Sequence, residues 1–127
     1  QRLTRGKTSA FSVLQAVLKE AGLNAALSRY RQLHQTQADK YFFLESELNG
    51  LGYECLREKR EADAIAVFSL MAEAFPTSAN AFDSLGEAYM SHGDRELAIK
   101  SYRRSLELDP RNDNAREMLK KLEQKKS

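Results

Sequence analysis

Residues that often carry chemistry or extracellular stability are scarce in this sequence. Its 127 residues include one cysteine, Cys55, no tryptophan and two prolines. A single cysteine forms no internal disulfide and cannot supply the cysteine ligands of a zinc site. We expect Cys55 to be a small buried apolar side chain rather than a reactive thiol. No run of about 18 apolar residues is present, so the sequence predicts no membrane insertion.

An excess of either charge is also absent. The chain has 20 basic and 18 acidic residues, which gives a formal net charge of +2. This balance offers no electrostatic basis for binding nucleic acid or a membrane surface. With 42% hydrophobic and 30% charged residues, the composition is typical of one soluble globular domain. Because the sequence starts at Gln1, without a methionine or a signal-like stretch, we expect it to be part of a longer chain.

Catalytic motifs are missing as well. The stretch "GKT" at Gly6 to Thr8 is similar to the end of a phosphate-binding loop, but Gln1 stands where that loop needs its first glycine. No serine is followed by lysine three residues later, and no Gly-x-Ser-x-Gly elbow occurs. His34 and His92 lack partners at metal-ligand spacing, so we expect them to be solvated or to cap helices. The sequence therefore predicts no catalytic residue, no metal site and no cofactor.

The informative feature is a repeat. Shifting the sequence by 34 residues aligns six pairs of the same chemical type. These pairs are Leu48 with Phe82, Leu51 with Leu85, Gly52 with Gly86, Ala64 with Ala98, Phe68 with Tyr102, and Pro76 with Pro110. Each unit has two helical patterns, at 45–57 and 61–74 in the first and at 79–91 and 95–108 in the second. A proline follows the second helix of each unit, where it resists continuation of the α conformation.

Gly52 and Gly86, which the 34-residue shift aligns, lie inside these helices, where each costs about 1 kcal/mol relative to alanine. If each unit is a helical hairpin, a glycine allows a bulky side chain of the partner helix to lie against bare backbone. We expect Phe68 to contact Gly52 and Tyr102 to contact Gly86. Ala64 is small for a related reason, since it lets the second helix approach.

The repeated pattern resembles two consecutive tetratricopeptide repeats, at residues 45–78 and 79–112. The residues that carry the resemblance are Leu51, Gly52, Ala64, Phe68 and Pro76, followed by Leu85, Gly86, Tyr89, Gly93, Ala98, Tyr102 and Pro110. The first repeat departs from the family at Cys55, Lys59 and Met71, where tyrosine, glycine and alanine are usual. The resemblance implies an all-α fold, a right-handed superhelical stack of antiparallel helical hairpins.

The remaining segments are expected to complete that stack. Residues 9–36, within the N-terminal segment 1–44, have the pattern of a degenerate hairpin, and the connector carries Tyr41, Phe42 and Phe43, which we expect to hold it against the hairpins. The segment 113–127 predicts a capping helix with one apolar face and with Lys125 and Lys126 at its negative end. That face consists of Ala115, Met118, Leu119 and Leu122. We expect all four segments to form one domain.

The resemblance implies a protein-interaction scaffold that holds a peptide or a partner surface in a concave groove formed by the first helix of each hairpin. Carried over to this sequence, the groove consists of Asn49, Tyr53, Arg57, Asn80, Asp83, Glu87 and Met90. Relatives that bind acidic chaperone C-termini have basic and amide side chains there, whereas this chain has Asp83 and Glu87. We therefore expect a ligand with a basic or polar element near these carboxylates and an apolar anchor at Tyr53 or Met90, supplied by a partner protein or by the same polypeptide.

Two alternatives remain open from the sequence. The order of the segments "ALSRYRQL", "ESELNGLGYECL" and "SANAFDSLGEAYM" is similar to the C-terminal extension of some bacterial serine hydrolases related to β-lactamases and esterases. In that case the domain is an accessory part of an enzyme whose nucleophile lies upstream of Gln1. The second alternative is self-association of the chain through the apolar stripe of the N-terminal hairpin.

Overall fold

The computed structural model describes residues 6–124, and within them the chain forms seven helices. These are α1 (Ala10–Ala21), α2 (Leu23–Thr36), α3 (Glu45–Arg57), α4 (Glu61–Ala74), α5 (Ala79–His92), α6 (Arg95–Leu108) and α7 (Asp113–Gln124). The predicted all-helical fold is confirmed, and α5 is one residue longer than its sequence pattern indicated. The predicted pairing of Lys125 and Lys126 with a helix dipole lies outside the described residues. No helix in the described part of the chain has the length and apolar character that crossing a membrane requires.

The contacts of the chain divide it into two compact units, Gln1–Leu48 and Asn49–Ser127. The predicted segment boundaries and the single domain stay predictions.

The Gln1–Leu48 unit contains the predicted N-terminal hairpin. Helix α1 is capped by the Ser9 hydroxyl, which accepts a hydrogen bond of 3.2 Å from the Ser12 amide. It ends at Gly22, whose φ of 92° favours glycine, and α2 begins at the next residue. Leu14 of α1 and Tyr30 of α2 are both fully buried. The two helices pack on each other as an αα-hairpin.

The connector after α2 packs on the same unit. Phe43 makes edge-on contacts with the rings of Tyr30 and His34, with centroid distances of 5.4 and 4.9 Å. Phe43 therefore packs as predicted for the connector, and it covers one side of His34, which is half-buried in the last turn of α2. The preceding residues form a strand, β2 (Tyr41–Phe42), paired in parallel with β1 (Thr8–Ser9). No pattern in the sequence indicated that pairing.

The Asn49–Ser127 unit contains the repeat helices, in which α4 packs on α5, α5 on α6 and α6 on α7. Ser78 caps α5 by accepting a hydrogen bond of 3.1 Å from the Ala81 amide. Gly93 ends α5 in the left-handed conformation with φ of 89°, and Lys59 has a φ of 61° at the equivalent position of the first repeat. The family's usual glycine at that turn thus has a backbone reason.

The predicted capping helix covers an apolar face of α6. Ala98, Ile99 and Tyr102 of α6 form a buried cluster with Ala115 and Leu122 of α7. The other two residues of the predicted stripe, Met118 and Leu119, pack against this cluster. Elsewhere in the core, Cys55 is fully buried, as expected, and burial raises the pKa of its thiol.

Candidate functional site

The predicted groove residues share one face of α3 and α5. Asn49 and Tyr53 are four residues apart on α3, and Asp83 and Glu87 are four residues apart on α5, so each pair lies on one side of its helix. The 34-residue repeat makes Asn49 equivalent to Asp83 and Tyr53 equivalent to Glu87. Packing of the two repeats brings Tyr53 next to Glu87, and Asn49 next to Asn80 and Ser84.

Hydrogen bonds join α3 to α5 across this face. The Tyr53 hydroxyl donates to Oε1 of Glu87 at 2.8 Å and lies 3.1 Å from the hydroxyl of Ser84. Oδ1 of Asn49 accepts from the Ser84 hydroxyl at 3.2 Å and from the Asn80 amide at 3.4 Å. Ser84 is almost fully buried. It is therefore the centre of a polar network that sequence reasoning missed.

A second network joins α5 to α7. The carboxylate of Asp83 accepts hydrogen bonds of 2.8 Å from the side-chain amides of both Asn112 and Asn114. The same Asn112 amide donates to the Ser105 hydroxyl at 2.8 Å, and the Asn112 side-chain oxygen caps α7 by accepting from the Ala115 amide at 3.2 Å. Asp83 thus holds the start of α7 against α5.

Asn112 and Asn114 were not predicted as groove residues, although the repeat contains the signal. A shift of 34 residues aligns Ser78, the cap of α5, with Asn112, and Asn80 with Asn114. Extending the groove positions by one more shift of 34 residues would have found Asn114, and the match with Ser78 marks Asn112 as the cap of the next helix.

The electrostatics of this face are acidic. Among residues 6–124, no lysine or arginine forms an ion pair with Asp83 or Glu87. The pKa of Tyr53 is raised to about 12, chiefly by burial, while the bond with Ser84 lowers it and the bond with Glu87 raises it. The pKa of Tyr102 is also raised, first by burial and then by the nearby carboxylates. At neutral pH both phenols are therefore protonated, and the Tyr53 hydroxyl donates a hydrogen bond to Glu87.

Two predicted residues stand apart from these networks. Arg57 is exposed at the end of α3. Met90 is 38% exposed and borders a cavity of about 350 Å³ with Lys121, Leu122 and Gln124. In the described part of the chain, no hydrogen bond links either residue to Asp83 or Glu87, and no three His, Cys, Asp or Glu side chains cluster as metal ligands do.

A sequence profile of the tetratricopeptide repeat family matches residues 79–112, which contain α5, α6 and the turn before α7. Residues 79–112 are thus similar to a tetratricopeptide repeat, and the helices of this segment agree with that likeness. Mouse Superkiller complex protein 3 is 36% identical over 55 residues, which make up 43% of this chain and 4% of that protein. This chain therefore spans only a small part of that relative.

Two solved structures share the fold. A mutant of MamA superimposes with a TM-score of 0.64 over 91% of this chain and 82% of its own, at 18% identity. The first tetratricopeptide-repeat domain of Spaghetti (RPAP3), bound to the HSP90 peptide SRMEEVD, superimposes with a TM-score of 0.63 over 94% of this chain and 96% of its own, at 22% identity. At these identities the likeness concerns the tetratricopeptide-repeat fold.

Proposed function

We propose that this tetratricopeptide-repeat chain is a non-catalytic scaffold that binds a protein segment on the shared face of α3 and α5. The observation that carries the proposal is the pair of carboxylates, Asp83 and Glu87, on that face without an ion-pair partner among the described residues. The solved neighbour that holds the HSP90 peptide SRMEEVD supports a peptide-binding role for the fold.

The ligand has a basic or donor-rich element near these carboxylates. Glu87 accepts one hydrogen bond and Asp83 accepts two, whereas an ionised carboxylate offers about four acceptor sites. Both groups can therefore accept further bonds from a lysine, an arginine or a backbone amide. An acidic C-terminus, like the peptide of the solved neighbour, would meet like charge here and bind less well.

Met90 is a better apolar anchor point than Tyr53. The Tyr53 ring packs edge-on against Phe68 at a centroid distance of 5.1 Å, and its hydroxyl is bonded to Glu87. Met90 instead has an exposed side chain beside an open cavity. The segment that fills this face comes from a partner protein or from the same polypeptide outside these residues.

A peptide-array screen tests the proposal with the wild type, the double variant Asp83→Lys, Glu87→Lys, and the neutral variant Glu87→Gln. We expect the wild type to bind peptides that contain lysine or arginine, and the double variant to lose binding to those peptides. The pair Glu20→Lys, Asp39→Lys is the matched control, because it makes the same change in net charge at exposed positions of the other unit. Binding unchanged by the double reversal, or a preference for acidic C-terminal peptides, would overturn the assignment.

The hydrolase alternative receives no support from the matching family profile or from the relatives described above, none of which is a hydrolase by name.

A further inference from the structure

A second concave surface lies on the other side of α5. Phe82, Leu85 and Tyr89 recur at three- and four-residue spacing, so they share a helix face that points away from the face of Asp83 and Glu87. Together with α6 these three side chains line an open cavity of about 820 Å³. That volume is within the usual range of ligand sites, about 300–1,000 Å³.

The apolar part of this cavity extends into solvent through Leu97. This residue of the first turn of α6 lines the cavity and is 45% exposed. An apolar side chain presented in this way beside a cavity loses contact with water when a partner's apolar side chain enters.

Cations surround the same cavity. Lys100, Arg103 and Arg104 line it together with Glu96 and Glu107. Arg104 pairs with Glu107 at 3.0 Å, while the guanidinium of Arg103 is bonded to a carboxylate of α7. Lys100 forms no ion pair or hydrogen bond in the part of the chain that the structure describes. The lining therefore has one cation more than it has anions, and Lys100 is the cation available to a ligand.

The first repeat shows that the repeat architecture does not require this arrangement. Thirty-four residues before Leu97, α4 has Asp63, and before Lys100 it has Ala66. Arg104 corresponds to Leu70, which is 1% exposed. The apolar and cationic pattern thus belongs to α6 alone of the two equivalent helices.

We propose that the cavity between α5 and α6 is a second binding surface, which takes a protein segment that combines an aliphatic or aromatic side chain with neighbouring acidic residues. The apolar side chain lies against Phe82, Leu85 and Leu97, and the acidic residues lie near Lys100. The charge of the lining selects acidic over basic segments. This surface does not depend on the groove function, and it prefers the opposite ligand charge.

The test is selection of a random 12-residue phage-displayed library on the folded chain, followed by titration of the enriched peptides. Each peptide is made with an amidated C-terminus, so that a terminal carboxylate does not contribute. We expect one enriched class with an aliphatic or aromatic residue next to aspartate or glutamate, and shifts in the backbone amide resonances of 82–89 and 97–104 when it binds.

Variants separate this surface from the groove. We expect Lys100→Glu and Leu97→Ser each to weaken the affinity for the acidic peptides roughly tenfold, about 1.4 kcal/mol. The double variant Asp83→Lys, Glu87→Lys leaves that affinity unchanged. Both single changes are at exposed positions, and thermal melts verify that each variant is folded.

Absence of an acidic and apolar class, or a class insensitive to Lys100→Glu, would overturn the proposal. It would also be overturned by a concentration-dependent dimer that Leu97→Ser dissociates, or by binding only to phosphatidylserine vesicles. None of these four outcomes bears on the groove, because binding of groove peptides responds to changes at Asp83 and Glu87.

Discussion

The ring of Tyr102 lies against the bare backbone of Gly86. A Cβ atom built on Gly86 would be 2.9 Å from Cζ of Tyr102, closer than real Cβ contacts. The same relationship holds in the first repeat, where a Cβ on Gly52 would be 2.7 Å from Cδ1 of Phe68. Both aromatic rings are fully buried or nearly so. The interior glycines are thus required by close packing of the two helices in each hairpin, as the repeat predicted.

We expect Gly86→Leu to destabilise the fold by about 1–3 kcal/mol or more, the range for overpacking of a core. Gly50→Leu is the matched control, because Gly50 is also in a helix interior but a Cβ placed there would have no neighbouring atom within 4 Å. The control should be as stable as the wild type or more so, since leucine has the better helix propensity. Denaturant melts measure both, and equal stability of Gly86→Leu and the wild type would refute the packing account.

At the turn of Lys59, in contrast, a substitution is expected to stabilise the fold. Lys59 has a φ of 61°, in the region that costs a non-glycine residue about 1–2 kcal/mol. We expect Lys59→Gly to raise the free energy of unfolding, by up to about 1 kcal/mol after the entropy of glycine is counted. Gly93→Ala, at a φ of 89° in the second repeat, should lower it. The urea concentrations at the unfolding midpoints of both variants and the wild type measure these changes. If both midpoints shift in the same direction, the backbone explanation is contradicted.

Alkaline pH tests the position of Tyr53. Its pKa is raised from 10.0 to about 12 in the folded chain, so between these pH values the folded state holds a proton that the unfolded state has lost. Stability from this group is complete below pH 10 and decreases as the pH rises to 12. Tyr53→Phe removes this contribution, and we expect its stability to fall less over that range than that of the wild type. Urea melts at several pH values give the stability of both proteins as a function of pH. Parallel curves for the wild type and Tyr53→Phe would contradict this prediction.

Helix α7 should stabilise the second unit. Removing residues 113–127 uncovers Ile99 and Tyr102, so we expect the truncated chain to aggregate or to melt at a lower temperature. Lys120→Ala is the control, since an exposed side chain of α7 should change stability by no more than about 0.5 kcal/mol. Calorimetry and light scattering measure both effects. A truncated chain as stable and as monomeric as the full chain would show that α7 has no capping role.

Much of the helical architecture follows from the sequence. Helix bounds, the glycine contacts and the apolar face of α7 all depend on spacings of three or four residues, or on one 34-residue shift. Such patterns are local, so they are visible before the chain is folded. The groove residues were predicted from the resemblance to tetratricopeptide repeats, and the 34-residue shift makes Asn49 equivalent to Asp83 and Tyr53 equivalent to Glu87.

Other features depend on tertiary structure alone. Thr8 and Ser9 pair with Tyr41 and Phe42 through backbone groups, and backbone pairing of two residues leaves no side-chain pattern to read. The bonds from Asn112 and Asn114 to Asp83 span about 30 residues, and they form because the packing of α5, α6 and α7 sets the distance between those side chains. The sequence by itself determined which faces of the helices are apolar and which are polar. The packing of the hairpins decided which polar groups bond to each other and which remain available to a ligand, because that depends on distances between residues far apart in the chain.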